Sequence, residues 1–542
     1  MTRAGVWLVV AASFVASNLI VAADDDKVDY NNPVRTAEQD EIKSLPNLAF
    51  QPKFKQYSGY LEADEANPRN KFFHYWLVES ENDPDKDPLM LWLNGGPGCS
   101  SMEGILTESG PFRIHSNGSV LKNEFAWNAK INILYIEGPA GVGFSYGAHD
   151  HDYTTTDDMM AVQYLRALRS FLRKFPKMRL RPFYIVGESY GATYAAVLGW
   201  RVAKDAKDDI NLKGIAMANG YTEADLVVKS LFFYAYFHGF LGDTAWSNFS
   251  SSCCDGKTPS AADCMRPEET DIEKCSKTTK ALGDIVLATG INAYNVFDDC
   301  HDIKDPLSSK RRSLTRMDVD RQLLMDSMTG DDNYCSFGGG SQRVNKVPED
   351  TCDESNYIRT PSEKISPESD QNDDSMLGKY GSKEIPCWDA GPLEDYLHDM
   401  DVIKALHIPV VLAPFVTCAP KESVNYIKTY PCQPERLTNI IKTMLNFGGN
   451  QDILIYYGDA DIMCPFLSGK WLVDRFKFGL TREWTPWYVN KQVAGWYEQW
   501  HPITLATVKG AGHMVPQDKP EQAKHLIESW IYGPMNQRSS QL

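Results

Sequence analysis

The residues best placed for chemistry are a serine, two aspartates and a histidine, each just past the end of a short apolar run. FYIVGESYG at 183–191 is an apolar run that enters Gly-x-Ser-x-Gly and continues into helix-forming residues. A nucleophile elbow needs that context. Its turn is so tight that small residues must flank the serine, whose hydroxyl is thrust above the sheet at a helix N-terminus. A hydroxyl alone is a poor nucleophile, so a base and an orienting acid must follow, in the chain order Ser, acid, His. Residues 453–457 run into Gly458-Asp459-Ala460-Asp461, and 504–508 run into Gly510-Ala511-Gly512-His513. Ser189 is therefore the candidate nucleophile and His513 the candidate base, with Asp459 and Asp461 both open as the acid. The amide of Tyr190, directly after the serine, is the first candidate for an oxyanion hole. A second donor would come from the glycine loop 94–98, NGGPG, which can bring amides close to a developing negative charge.

Elements must hold these groups together. Six short apolar runs, at 88–94, 131–136, 183–186, 214–218, 453–457 and 504–508, read as strands buried on both faces. Each ends at or near Gly or Asn, which suits a turn at its carboxyl end. Val162, Leu165, Leu168, Leu172 and Phe175 recur at helical spacing and Pro176 stops them, and 193–206 reads as a second helix. Strand alternating with helix is the doubly wound α/β pattern, here an α/β-hydrolase fold with a mostly parallel central sheet. The rhythm breaks between about 223 and 407, so the expected layout is a core over 24–222, an inserted cap over 223–400, a second core part over 401–535 and a tail over 536–542. The acidic stretch at about 305–380 has few apolar residues and is expected to be an exposed loop. Lys310-Arg311-Arg312 within it could be reached by a processing protease.

The chain has 542 residues, 43% of hydrophobic types and a formal net charge of −17, with no basic patch of useful length. Such a surface repels nucleic acid and anionic membrane. Residues 1–23, with Arg3, an apolar stretch and Ala22-Ala23, read as a signal peptide, and no later run is long enough to span a bilayer. The twelve cysteines contain no CxxC pair, so a disulfide set in a secretory protein is expected, with no metal and no cofactor. Asn117 and Asn248 head glycosylation sequons.

LWLNGGPGCSS (91–101), PFYIVGESYG (182–191), YYGDADIMC (456–464) and GAGHMVP (510–516) together resemble the serine carboxypeptidases, with support from IEGPAGVGFSY (136–146), ANGYTEAD (218–225) and KALHIP (404–409). The likeness runs from about 45 to 532 and weakens over 305–380. Cys253-Cys254, the segment 291–300 and the sequon at Asn117 resemble lysosomal members of that family.

The resemblance implies a peptidase in which Ser189, His513 and Asp461, rather than Asp459, form the triad, with oxyanion amides from Gly96 and Tyr190. It implies that Asn94, Glu108 and Glu188, beside Trp92, hold the peptide's terminal carboxylate. Two adjacent carboxylates cannot both ionise cheaply, so one keeps its proton and donates it, which favours activity in acid. Met514 would line the pocket of the terminal side chain and select hydrophobic residues. Further implications are disulfides Cys99–Cys418, Cys253–Cys275, Cys254–Cys264 and Cys300–Cys387, a buried free Cys464, a homodimer, and complexes with other lysosomal hydrolases. Cys335 with Cys352 is the remaining expected pair, which leaves Cys432 unexplained.

Departures from the family surround the pocket: Gly191-Ala192 in place of Ala-Gly, Thr193 for a histidine, Pro465 for an asparagine, and Phe415 and Ala419 around Cys418. They bear on substrate preference more than on catalysis. Two other readings stand beside the peptidase, a secreted lipase or esterase of the same fold and a protective scaffold without catalysis. The first gives no task to Asn94, Glu108 and Glu188; the second gives none to the triad.

Overall fold

The computed structural model describes residues 33–64, 70–254, 272–288, 290–300, 387, 389–412, 414–421, 423–433, 435–447 and 451–533. The expected signal peptide, the acidic stretch at 305–380 and the basic trio lie outside them.

Ten strands form the main path of one sheet: β1 (Gln56–Glu62), β2 (Lys71–Val78), β3 (Leu89–Leu93), β4 (Asn132–Ile136), β5 (Phe183–Glu188), β6 (Leu212–Ala218), β7 (Asp452–Gly458), β8 (Arg482–Val489), β9 (Gln492–Trp500) and β10 (Ile503–Val508). Their order across the sheet is β1-β2-β4-β3-β5-β6-β7-β10-β9-β8, and the short strand Tyr146–Gly147 pairs with β2 as an eleventh. The six strands from β4 to β10 in this order run parallel. They are the six apolar runs of the sequence. Successive side chains point to opposite faces, and in β3 Leu89, Leu91 and Leu93 join one core cluster while Met90 and Trp92 join the other. Burial on both sides is why these strands lack polar alternation. The flanking pairs β1–β2 and β9–β8 are antiparallel and were not expected from sequence. In β2 the buried Lys71 and His74 interrupt the apolar run, and β8 is half exposed with Pro486 inside it.

Helices cover both faces. Helix α1 (Asp157–Lys174) starts at Thr156, whose hydroxyl accepts the Met159 N–H, and ends just before Pro176. With α2 (Gly191–Asp205), it packs Leu165, Leu168, Phe171, Ala195 and Leu198 into the first cluster. After β6 come α3 (Ala224–Phe237), α4 (Asp243–Cys253) and α5 (Ile272–Ala288). Phe232, Phe249 and Leu282 from these helices share a third cluster with Ile462, just past the end of β7. The helices that follow β6 therefore rest on the loop that carries the candidate acids. On the second face α6 (Pro520–Tyr532) contributes Ala523, Leu526 and Ile527.

Disulfides join Cys99 to Cys418, Cys253 to Cys275 and Cys300 to Cys387. Cys254 and Cys432, the latter left unexplained by the sequence, are disulfide-bonded too. The Cys254–Cys264 and Cys335–Cys352 pairings fall outside the described residues. Cys464 is free and buried. Among the described residues no helix is long and apolar enough to cross a membrane.

Candidate active site

The elbow is set by sterics. Ser189 follows β5 with φ +59°, a strained conformation for a residue with a side chain. The flanking glycines have no room to be anything else. A Cβ at Gly187 would lie 1.8 Å from the Gly191 carbonyl oxygen, and one at Gly191 would lie 2.3 Å from that of Leu93. The glycine loop after β3 leans directly on this turn, since a Cβ at Gly95 would sit 2.5 Å from the Tyr190 nitrogen and 2.7 Å from Ser189 Cβ. Gly96 has φ +106°, open to glycine and strained for other residues. The turn thus brings the Tyr190 amide and the 94–98 loop to one place.

The next two groups arrive from the ends of β7 and β10. His513 is 3% exposed and Asp461 wholly buried, and His513 Nδ1 is 2.7 Å from Asp461 Oδ2. Of the two aspartates it is Asp461 that meets the histidine, whereas the Asp459 carboxylate accepts the Gly510 N–H at 2.6 Å. Asp461 is itself held: Oδ1 accepts the amides of Met463 (2.8 Å) and Cys464 (3.2 Å), while Oδ2 also accepts Asn219 Nδ2 at 2.8 Å. Asn219 was not singled out as a site residue by sequence reasoning. Its place at the end of β6, parallel and adjacent to β7, was the available signal. Tyr294 completes the clamp, with the His513 N–H donating to its carbonyl at 2.7 Å and the two rings meeting edge to face.

A second buried cluster lies beside the elbow. The Trp92 indole N–H donates to Asn94 Oδ1 at 2.7 Å, which turns the amide nitrogen toward Glu108 Oε1 (3.1 Å), Glu188 Oε1 (3.4 Å) and Glu103 Oε2 (3.5 Å). All three carboxyls are at most 3% exposed, and one oxygen of each has no protein partner among the described residues. Burial pushes Glu188 well above the usual carboxylate range, and the neighbouring Glu108 and Glu103 add to the effect. Glu103 is pushed up likewise by burial and by Glu108. Glu108 is raised by burial and restrained by hydrogen bonds from Glu188 and Asn94, so the three carboxyls as a group favour holding a proton. Glu103 was missed in the sequence; it precedes the single wide helical turn Gly104–Glu108, whose winding cannot be read from residue types. Gly104 lets that turn approach, since a Cβ there would meet Trp92 Nε1 at 2.2 Å.

Met514 is buried directly after His513. Around Cys418, Ala419 donates its N–H to the Gly98 carbonyl at 2.9 Å, and Phe415 packs on Phe144, so these departures touch the glycine loop and its support. Asn117 and Asn248 are both exposed. One group with metal-ligand chemistry occurs among the described residues, Asp461 with Cys464 and His513, its ligand atoms within 4.8 Å of one another. Both Asp461 oxygens are already taken by the hydrogen bonds above, so an ion would have to displace them.

The family profile described as serine carboxypeptidase matches residues 46–533. Lysosomal protective protein of Mus musculus is 36% identical over 503 residues, covering 91% of this chain and 94% of that protein. Serine carboxypeptidase 1 of Hordeum vulgare is 30% identical over 519 residues, covering 91% and 92%. Among solved structures, the prohormone-processing carboxypeptidase Kex1(delta)p of Saccharomyces cerevisiae superposes with TM-score 0.66 at 18% identity over 92% of this chain and 96% of that one, a likeness of fold. The chain belongs to the serine carboxypeptidase family and is a peptidase of the α/β-hydrolase fold.

Proposed function

We propose that this protein releases single residues, preferably hydrophobic, from the free C-termini of peptides in acid, through an acyl-enzyme on Ser189. The observation that carries the reading is the buried Asn94–Glu108–Glu188 cluster beside the elbow. An esterase or lipase of this fold has no use for buried carboxyls held protonated next to its nucleophile. A peptide's terminal carboxylate does, because a protonated Glu188 and the Asn94 amide can both donate to it.

Ser189 Oγ attacks the last peptide carbonyl while His513 Nε2 takes its proton, Nδ1 being engaged by Asp461. The amides of Tyr190 and Gly96 receive the negative charge on the carbonyl oxygen. Collapse breaks the C–N bond, and His513 returns the proton to the departing amine. Water then attacks the ester with His513 again as base, which frees the shortened peptide and restores Ser189. Met514 borders the terminal side chain and favours Phe, Leu, Ile or Met there. As pH rises, the carboxyl cluster ionises and repels the substrate's carboxylate, so activity falls toward neutrality. Entry into the secretory pathway and function in a lysosome-like compartment follow from the leader at 1–23 and from the acid preference.

The test is release of Phe from an N-blocked dipeptide ending in Phe, from about pH 4 to 8, against the same peptide amidated at its C-terminus. Acid-peaked release, lost in Ser189→Ala and strongly reduced for the amide, supports the reading. Indifference to amidation would favour an esterase. No release by the wild-type protein would favour a scaffold, for which Ser189→Ala should still stabilise a partner hydrolase.

A further inference from the structure

Asp157 opens helix α1, far in sequence from every group described above, and its carboxylate is 2% exposed. Helix capping does not use it, since Thr156 caps the helix. It takes five donors instead. Oδ1 accepts the hydroxyls of Tyr190 and Tyr426, each at 2.8 Å. Oδ2 accepts the Thr429 N–H at 2.6 Å, the Thr429 hydroxyl at 2.8 Å and the Tyr430 N–H at 2.8 Å. So many donors satisfy a buried carboxylate fully and fix the groups that supply them.

One of those groups is the residue that follows the nucleophile. We propose that Asp157 is a positioning residue for the oxyanion hole: by gripping the Tyr190 hydroxyl it sets where the Tyr190 amide points. The proposal rests on the triad reading given under Proposed function. Three further contacts leave the Tyr190 side chain little freedom. Its ring is stacked with Tyr221 at 6.0 Å and meets Tyr194 and Tyr426 edge-on at 5.4 and 5.6 Å. Tyr221 in turn donates its N–H to the Ser189 carbonyl at 3.0 Å. Lys428, next to Thr429, holds its ammonium 5.5 Å from the centroids of both the Tyr190 and Tyr221 rings. The segment 426–430 and the elbow are thus both tied to the same carboxylate.

The amide itself has almost no slack. Gly95 is so close that a Cβ would sit 2.5 Å from the Tyr190 nitrogen, so any tilt of Tyr190 moves it against the loop that carries Gly96. An oxyanion donor works only within about 2.7–3.1 Å of the charge it stabilises. Small rotations of the Tyr190 backbone therefore reach the rate of bond making.

The experiment compares Tyr190→Phe with Tyr426→Phe, because both hydroxyls donate to the same Asp157 oxygen but only one belongs to the elbow. With the Phe-terminated dipeptide, Tyr190→Phe is expected to lower kcat about tenfold with KM within about threefold of wild type. Tyr426→Phe should lose comparable thermal stability and keep kcat within about twofold. Asp157→Asn should lower kcat by about 10- to 100-fold, and adding Tyr190→Phe to it should cost no more. Equal kcat in the two Tyr→Phe variants, or losses of kcat that simply multiply in the double variant, would overturn the proposal. If Asp157→Asn fails to fold, the Tyr190/Tyr426 pair still decides. A wild-type protein without peptidase activity would instead sink the underlying reading, which keeps the two failures distinct.

Discussion

Glu188→Gln replaces a carboxyl that must be protonated to help by an amide that donates at every pH. In the native cluster Glu188 is raised well above the usual range by burial and by its acidic neighbours, and its Oε1 lies 3.4 Å from Asn94 Nδ2. Once the cluster ionises, a substrate carboxylate about 4 Å away meets roughly 4 kcal/mol of repulsion at an effective dielectric near 20. That is about three decades in kcat/KM. The variant removes one ionisable member, so its fall from acid to neutral pH should be shallower by at least about tenfold. The assay is kcat/KM for the Phe-terminated dipeptide from about pH 4 to 8, with the C-terminal amide as control, because the amide carries no charge to repel. Glu103→Gln, which removes the third buried carboxyl, should flatten the profile in the same direction by less. Identical pH profiles for wild type and both variants would refute the shared-proton account of substrate binding.

Asp461→Asn should leave His513 near its place but favour the wrong ring tautomer, lowering kcat by about three to four decades with little change in KM; a loss below tenfold would mean that another group orients the base. Asp518, whose carboxylate accepts the Gly512 N–H at 2.7 Å, is pushed from 3.8 up to about 6 by burial. An acid raised in the folded state stabilises below its unfolded value and loses that contribution as pH rises through the folded one. Two units correspond to about 3 kcal/mol, so Tm should fall between about pH 4 and pH 7, and Asp518→Asn should shrink that fall. Cys99→Ser opens a disulfide across a sequence separation of 319 residues next to the glycine loop. Urea unfolding should report a loss of up to about 5 kcal/mol, and kcat should drop as well because Cys99 follows Gly98.

The sequence alone carried the six parallel strands, because burial on both faces leaves an unbroken apolar run that no exposed element shares. It also carried the elbow, since a turn with no space for a Cβ at Gly187 or Gly191 fixes residue types directly. Such constraints are local, and local constraints survive in a list of residues. The antiparallel edges did not show: β2 buries polar side chains within its run and β8 is half exposed, so neither has a clean period. The contact of Asp461 with His513 joins two loops 52 residues apart, and the hold of Asn219 on Asp461 joins partners 242 apart. Glu103 entered the carboxyl cluster through the winding of a single helical turn, and Asp157 reached Tyr190 from a helix start 33 residues upstream. Spacing along the chain says nothing about such meetings. They are decided by strand order and by loop geometry, because a hydrogen bond depends on where two atoms end up in space and not on how far apart they are in the chain.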